Sequence, residues 1–442
     1  MPYIPHTDAD VRAMLDVIGA ESIDDLFREI PESLRRTAPL DIPSHQDEYH
    51  LYQHLVGLAR QNLDATKLDW YLGAGLYDRY IPQSVPALIS RGEFLTAYTP
   101  YQPELSQGYL QTIYEFQSMV AELLGVDVAN ASMYDGSTAM AEAAFMATGI
   151  TGRDRIVVSE AVHPHWRQVL ETYAWANSLR VETLPSQEGA TTHWGDLSDA
   201  AAIIVQTPNF FGVLEDVTHA RKDSQAAGAM LIVATDPVAC ALMPPAGELG
   251  ADIVVAEGQP LGVAMGFGGP LVGLFGCRQE YIRRIPGRIV GRTTDHDGRP
   301  GFTMTLRTRE QDIRREKATS NICTNEALMA LAATIYLTAL GKNGLESIAE
   351  SSVRNTQYAR KKLVEAGAKL TFPGRVFGEF VITLPKPAAG VRDALIERGI
   401  MAGLPLGDYF AGRENELLVA VTEVRTREQI DRFAAELHSA IA

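Results

Sequence analysis

Residues 91–325 alternate short apolar runs with helical patterns, and no other feature of the chain narrows its fold so far. The runs lie at 155–159, 202–206, 230–235, 252–256 and 271–275. Each is nearly continuous in apolar residues, as strands covered on both faces are. Helical spacing separates several of them, at 166–176 and 219–227. Repeated strand-helix alternation predicts an α/β domain, with a mostly parallel sheet covered by helices.

The flanks read differently. Residues 1–90 form an expected helical arm, with amphipathic pieces at 8–18, 23–29 and 52–62 broken by prolines at 31, 39 and 43. The stretch 71–86, YLGAGLYDRYIPQSVP, suits an ordered irregular loop better than a helix. Residues 110–124 repeat apolar positions at helical spacing and stop at Gly125, and a second helix follows at 136–148. Beyond residue 326 come helices at 326–340 and 344–366, strand-like pieces at 370–372, 379–384 and 416–420, and helices at 390–398 and 426–440. A smaller α+β domain at 326–442 is expected, beside a large domain at 91–325. The 442 residues suit two packed domains with an appendage.

Composition excludes several classes of function. A net charge of −16 argues against general nucleic-acid binding. No run of 18 apolar residues is present, so no membrane span is expected. The start, MPYIPHTDAD, lacks the basic and apolar stretches of a secretory signal. The three cysteines, Cys240, Cys277 and Cys323, are too widely spaced for a zinc site or a disulfide framework; buried free thiols in a reducing cytoplasm are expected. Charge is uneven, however. Residues 278–317 hold eleven Lys/Arg against six Asp/Glu, either a paired surface or a docking face for phosphate, carboxylate or an acidic partner.

Three constellations can carry chemistry. Asp135-Gly136-Ser137-Thr138 opens a helix, where free N–H groups and hydroxyls suit a phosphate, although an ordinary N-cap looks the same. His163 follows a strand and can stack on a pyridine ring, or it can be structural. Asp236 ends another strand and can pair with a pyridinium nitrogen, or simply open the turn before Pro237. Phosphate turn, histidine, then aspartate is the order of parts in a fold-type-I pyridoxal-phosphate site. Such a site needs a lysine about 25 to 35 residues after the aspartate, to form the Schiff base. None is present. The chain has eight lysines, with none between Lys222 and Lys317, and the expected lysine turn reads Glu257-Gly258-Gln259-Pro260-Leu261-Gly262. No covalent cofactor is expected here.

Four further stretches carry a family resemblance. They are Tyr98-Thr99-Pro100-Tyr101-Gln102-Pro103-Glu104-Leu105-Ser106-Gln107-Gly108, Phe267-Gly268-Gly269-Pro270, Pro286-Gly287-Arg288-Ile289-Val290-Gly291, and the long run from Arg309 to Thr324 (REQDIRREKATSNICT). Together they resemble glycine decarboxylase, the P-protein of the glycine cleavage system, over nearly the whole chain. Length and the missing lysine resemble the N-terminal half of that enzyme, its subunit 1. The resemblance implies a fold-type-I pyridoxal-phosphate transferase-like architecture.

The family also implies a division of labour. Pyridoxal phosphate belongs to a lysine-bearing subunit 2, in an α2β2 assembly. Glycine is decarboxylated there, and the aminomethyl group passes to the oxidised lipoyl arm of H-protein. The resemblance places Tyr98 and Tyr101 near the substrate in trans, with Gln102 and Gln107 as weaker candidates. Gly136, Ser137, Thr138, His163 and Asp236 become remnants of an ancestral cofactor site. Two other readings stay open: a stand-alone pyridoxal-phosphate enzyme using an atypical lysine such as Lys317, and a non-catalytic scaffold or regulatory subunit.

Overall fold

The computed structural model describes residues 5–35 and 41–442. The chain divides into two compact units, 1–63 and 64–442. In the first, helix Asp8–Ile18 begins at a Thr7 capping box and ends at Gly19 with a left-handed φ of 78°. The expected helix at 23–29 is only a 3-10 turn, Asp24–Phe27, and the one at 52–62 begins earlier, as Glu48–Ala59 capped by Asp47. Asp47 supplies that earlier start by accepting the His50 N–H. Pro39, one of the expected breaks, lies outside the described residues.

A seven-stranded sheet centres the second unit, in the order Val128–Ala129, Gly273–Cys277, Ile253–Glu257, Met230–Thr235, Ala200–Thr207, Arg155–Ser159, Arg180–Leu184. All neighbouring pairs are parallel except the two made by Gly273–Cys277, which runs against the rest. Successive side chains feed two cores. Val157, Ile203, Val233 and Val254 face one helical layer, with Phe116, Val120 and Ala330. Ile156, Ile204, Ile232 and Val255 face the other, with Met140, Ala143 and Leu170. Burial on both sides is why these strands read as unbroken apolar runs. Sequence reading misses Arg180–Leu184 because it is an edge strand whose Arg180, Glu182 and Thr183 are exposed. It also misses the hairpin Ile289–Thr294/Pro300–Thr305, whose outer half is exposed.

The helical run Ala327–Glu365 breaks at Gly341 (φ 60°, ψ −173°), so two helices meet at a kink, as expected from the sequence. Its first part is apolar because Ala330, Leu331, Ala332, Ala333 and Tyr336 are buried, and it is thereby spent on the core. A four-stranded antiparallel sheet follows, ordered Lys369–Leu370, Glu379–Thr383, Glu416–Ala420, Leu404–Pro405. Helix Arg427–Ile441 covers it, started by a Thr426 capping box. Phe380, Ile382, Leu418, Phe433 and Leu437 make this third core. Of the cysteines, Cys277 is buried and Cys240 partly so, but Cys323 is exposed, contrary to the expectation of buried thiols. It sits in an irregular stretch ahead of the long helix, its N–H donating to the Tyr134 hydroxyl at 3.4 Å.

Candidate functional site

Strand ends and the 71–86 loop bring His163, Asp236, Glu257 and Glu379 around one cavity. Asp135 caps helix Gly136–Thr151, its Oδ1 accepting from Thr138 N–H and from the Ser137 hydroxyl, each at 2.7 Å. The Gly136 N–H donates to Glu257 Oε2 at 2.9 Å. Glu257 is the last residue of its strand, and its Oε1 accepts from Gln259 N–H (2.9 Å) and Val272 N–H (3.3 Å). A carboxylate is stabilised at the positive end of a helix. Burial nevertheless pushes the Glu257 carboxyl up to about 7, against the pull of those three donors. The indole of Trp166 closes the remaining side: a Cβ on Gly136 would stand 2.3 Å from it.

Asp236 turns its chain as a local cap, Oδ1 accepting from Val238 N–H (2.7 Å) and Ala239 N–H (3.1 Å). Its other oxygen faces a cation from this same chain, Arg79, at 3.8 Å. Arg79 is buried and also pairs with Glu423 at 2.7 Å. His163 has both nitrogens occupied. Nδ1 accepts from His165 N–H at 3.1 Å, so Nε2 carries the proton and donates to the Ala74 carbonyl at 2.8 Å. Burial holds its pKa down to about 4, which keeps the ring neutral. Trp166 stacks beside it at 6.1 Å, and Phe210 meets it edge-on at 4.9 Å.

Residues of the 71–86 loop complete the closure. Ala74 N–H and the Tyr77 hydroxyl donate to the two oxygens of Glu379, at 2.6 and 2.8 Å. Gln259, in the turn where a cofactor lysine is expected, spends its amide on Tyr77 N–H, Tyr77 O and Val263 O. What remains is a cavity of about 40 Å³, room for a water or two. The residues present do not fit a covalently held pyridoxal phosphate: the first helical N–H is already bonded to a carboxylate, and the turn offers no amine. Sequence reading named Gly136, Ser137, Thr138, His163 and Asp236 as candidates, and the structure brings them to one region. It missed Arg79, Trp166 and Glu379. An arginine inside a loop otherwise rich in glycine and aromatics was the one available signal, pointing to a buried ion pair.

The Tyr98–Gly108 stretch forms a separate place, and none of Tyr98, Tyr101, Gln102 or Gln107 lines that cavity. Tyr98 is 78% exposed and Gln102 is also exposed. Tyr101 accepts a hydrogen bond from Arg288 at 2.7 Å. Gln107 uses both ends of its amide on the Phe302 backbone, donating at 2.9 Å and accepting at 2.8 Å. Three turns along the same helix, Gln117 does likewise with Val290. These glutamines clip the helix Gln107–Leu124 to both strands of the hairpin.

The basic stretch at 278–317 is partly consumed by partners within the chain. Arg278 binds the Gly250 carbonyl at 2.7 Å, Arg307 pairs with Asp312 at 2.8 Å, and Arg309 binds the Ile285 and Gly287 carbonyls. Arg283, Arg284 and Arg292 are exposed.

The family model described as "Glycine cleavage system P-protein" matches residues 1–437. A Geobacillus sp. (strain WCH70) protein named "Probable glycine dehydrogenase (decarboxylating) subunit 1" is 48% identical, over 98% of each chain. A Listeria monocytogenes serotype 4b protein of the same name is 46% identical over 99% of each. Among solved structures, glycine decarboxylase (P-protein) in inhibitor-bound form superposes with a TM-score of 0.92 at 43% identity, covering all of both chains. A cysteine desulfurase from Thermococcus onnurineus, 15% identical with a TM-score of 0.62 over 90% of this chain and 99% of its own, shares the fold alone. The chain belongs to the glycine cleavage system P-protein family.

Proposed function

We propose that this chain is the non-cofactor-binding subunit of a glycine decarboxylase, working beside a lysine-bearing subunit 2 that holds pyridoxal phosphate. One observation carries the reading. This chain of the P-protein family has the polar groups of its cofactor region engaged by its own side chains, so its part in the reaction lies elsewhere on its surface. Tyr98 and Tyr101 supply that part in trans, on the substrate side of the partner's site. A phenol hydroxyl can hydrogen-bond the small carboxylate of glycine, and the aromatic body leaves little room for bulkier amino acids. The lipoyl arm of H-protein accepts the aminomethyl group, and the natural assembly is a cytoplasmic α2β2 heterotetramer.

Reconstitution tests this directly. The chain alone, the lysine-bearing subunit alone and the two together are assayed for glycine–bicarbonate carbon exchange with lipoylated H-protein. Exchange is expected only in the mixture, with Tyr98→Phe lowering it while assembly is kept. Full exchange by the lysine-bearing subunit alone would leave this chain without the role proposed. Glycine-dependent activity of the isolated chain would favour a stand-alone enzyme.

A further inference from the structure

Three separated motifs of the sequence converge on one guanidinium. Arg288, from Pro286–Gly291, is 3% exposed. Its Nη2 donates to the Tyr101 hydroxyl at 2.7 Å and its Nη1 to the Thr99 hydroxyl at 3.1 Å, both in the Tyr98–Gly108 stretch. Its Nε lies 3.6 Å from Glu310, which belongs to the third motif and balances the buried charge. Arg309 holds the turn that presents Arg288, binding the carbonyls of Ile285 and Gly287. Gly287 itself has φ +71°, which a residue with a side chain adopts only under strain.

This arrangement fixes a hydrogen-bond polarity. A guanidinium donates and cannot accept. Tyr101 must therefore accept from Arg288, and its own proton is turned away from Arg288. A second guanidinium, Arg307, sits 5.2 Å from the Tyr101 ring centroid and holds the ring by cation–π attraction. Tyr101 as a residue is still 47% exposed, which leaves it accessible to a partner.

We propose that Arg288 is a positioning residue: it locks the Tyr101 hydroxyl as a donor aimed at the carboxylate of the small amino-acid substrate in the partner's site. The inference rests on the reading of Tyr101 given above. A donor to that carboxylate acts on bound glycine and is released as the carboxylate becomes CO2. Loss of the lock therefore raises KM for glycine more than it lowers kcat. Arg288 acts through Tyr101, so its effect disappears once the hydroxyl is gone.

The test uses the reconstituted complex with lipoylated H-protein. Arg288→Ala, Tyr101→Phe and the double variant are compared for KM and kcat. About a ten-fold rise in KM is expected for each single change, with kcat within about two-fold and the double variant no worse than Tyr101→Phe. Guanidinium chloride at millimolar concentration is expected to lower KM for Arg288→Ala and not for Tyr101→Phe. Full additivity, or an unchanged KM in Arg288→Ala, overturns the positioning role while a raised KM in Tyr101→Phe keeps the wider reading. An unchanged KM in Tyr101→Phe sinks both. Where Arg288→Ala does not assemble, Arg288→Lys carries the same comparison: KM rises if the fork geometry matters and stays at the wild-type value if only charge does, which also overturns the proposal.

Discussion

The backbone N–H of Gly136 donates to the carboxylate of Glu257 at 2.9 Å, joining the first residue of a helix to the last residue of a sheet strand. In an open α/β fold this is where an anionic ligand is normally received. Here the anion is part of the chain. Asp135 takes a second N–H of the same helical turn, and the Trp166 indole fills the space above Gly136.

The isolated chain is accordingly expected to retain no stoichiometric pyridoxal phosphate. Incubation with the cofactor followed by desalting should leave no visible absorbance band. Borohydride trapping of one equivalent on a single lysine, such as Lys317, would contradict the filled cup.

Glu379 gives the region a pH signature. Burial pushes its carboxyl up to about 7 from an ordinary 4.5, against the donors Ala74 N–H and Tyr77 hydroxyl. The folded chain therefore holds a proton that the unfolded chain has released between those values. Stability from this group is full below pH 4.5 and is lost as pH rises towards 7, about 3 kcal/mol in all. Glu379→Gln keeps an acceptor for Ala74 and offers the tyrosine oxygen an N–H donor, reversing that bond. The melting-temperature advantage of the variant over wild type should grow between pH 5 and 7.5 and then level off. His163, held neutral at a pKa of about 4, has the opposite slope, and comparing variant with wild type cancels it. A difference that stays flat across that window would falsify the assignment.

Arg79 binds together parts of the chain far apart in sequence. It pairs with Glu423 at 2.7 Å and faces Asp236 at 3.8 Å, while its side chain is only 2% exposed. Arg79→Ala strands two carboxylates in a dry setting, at about 3–5 kcal/mol. Urea denaturation should show a lower midpoint, with Arg79→Lys in between. A loss below about 1 kcal/mol would mean that water reaches the pair.

Carrier encounter offers a test on the surface. Arg283 and Arg284 are exposed in the basic stretch, whereas Arg288 and Arg309 are engaged inside. If this face guides an acidic lipoyl carrier, added salt should weaken carrier-dependent activity more steeply in wild type than in Arg283→Ala/Arg284→Ala. Identical slopes remove the idea.

Much of the architecture was legible in the sequence because buried parallel strands are apolar on both faces. Arg155–Ser159 and Met230–Thr235 stand at the expected bounds. Edge elements escaped for the complementary reason: Arg180–Leu184 and the outer half of the hairpin face solvent, so no burial pattern marks them. Gln107, weighed as a substrate contact, has its amide bonded to the Phe302 backbone, a pairing across 195 positions that local pattern cannot register.

The sequence by itself determined that no lysine follows Asp236 where an imine would form, since a missing amine is a matter of residue type alone. It also determined the order of phosphate turn, histidine and aspartate. Only the tertiary structure decided what those residues now do. Glu257 against Gly136, Arg79 against Asp236 and Arg288 against Tyr101 are contacts over 121, 157 and 187 positions. Folding determines whether such groups meet, because their attraction acts over a few ångströms of space and carries no mark along the chain.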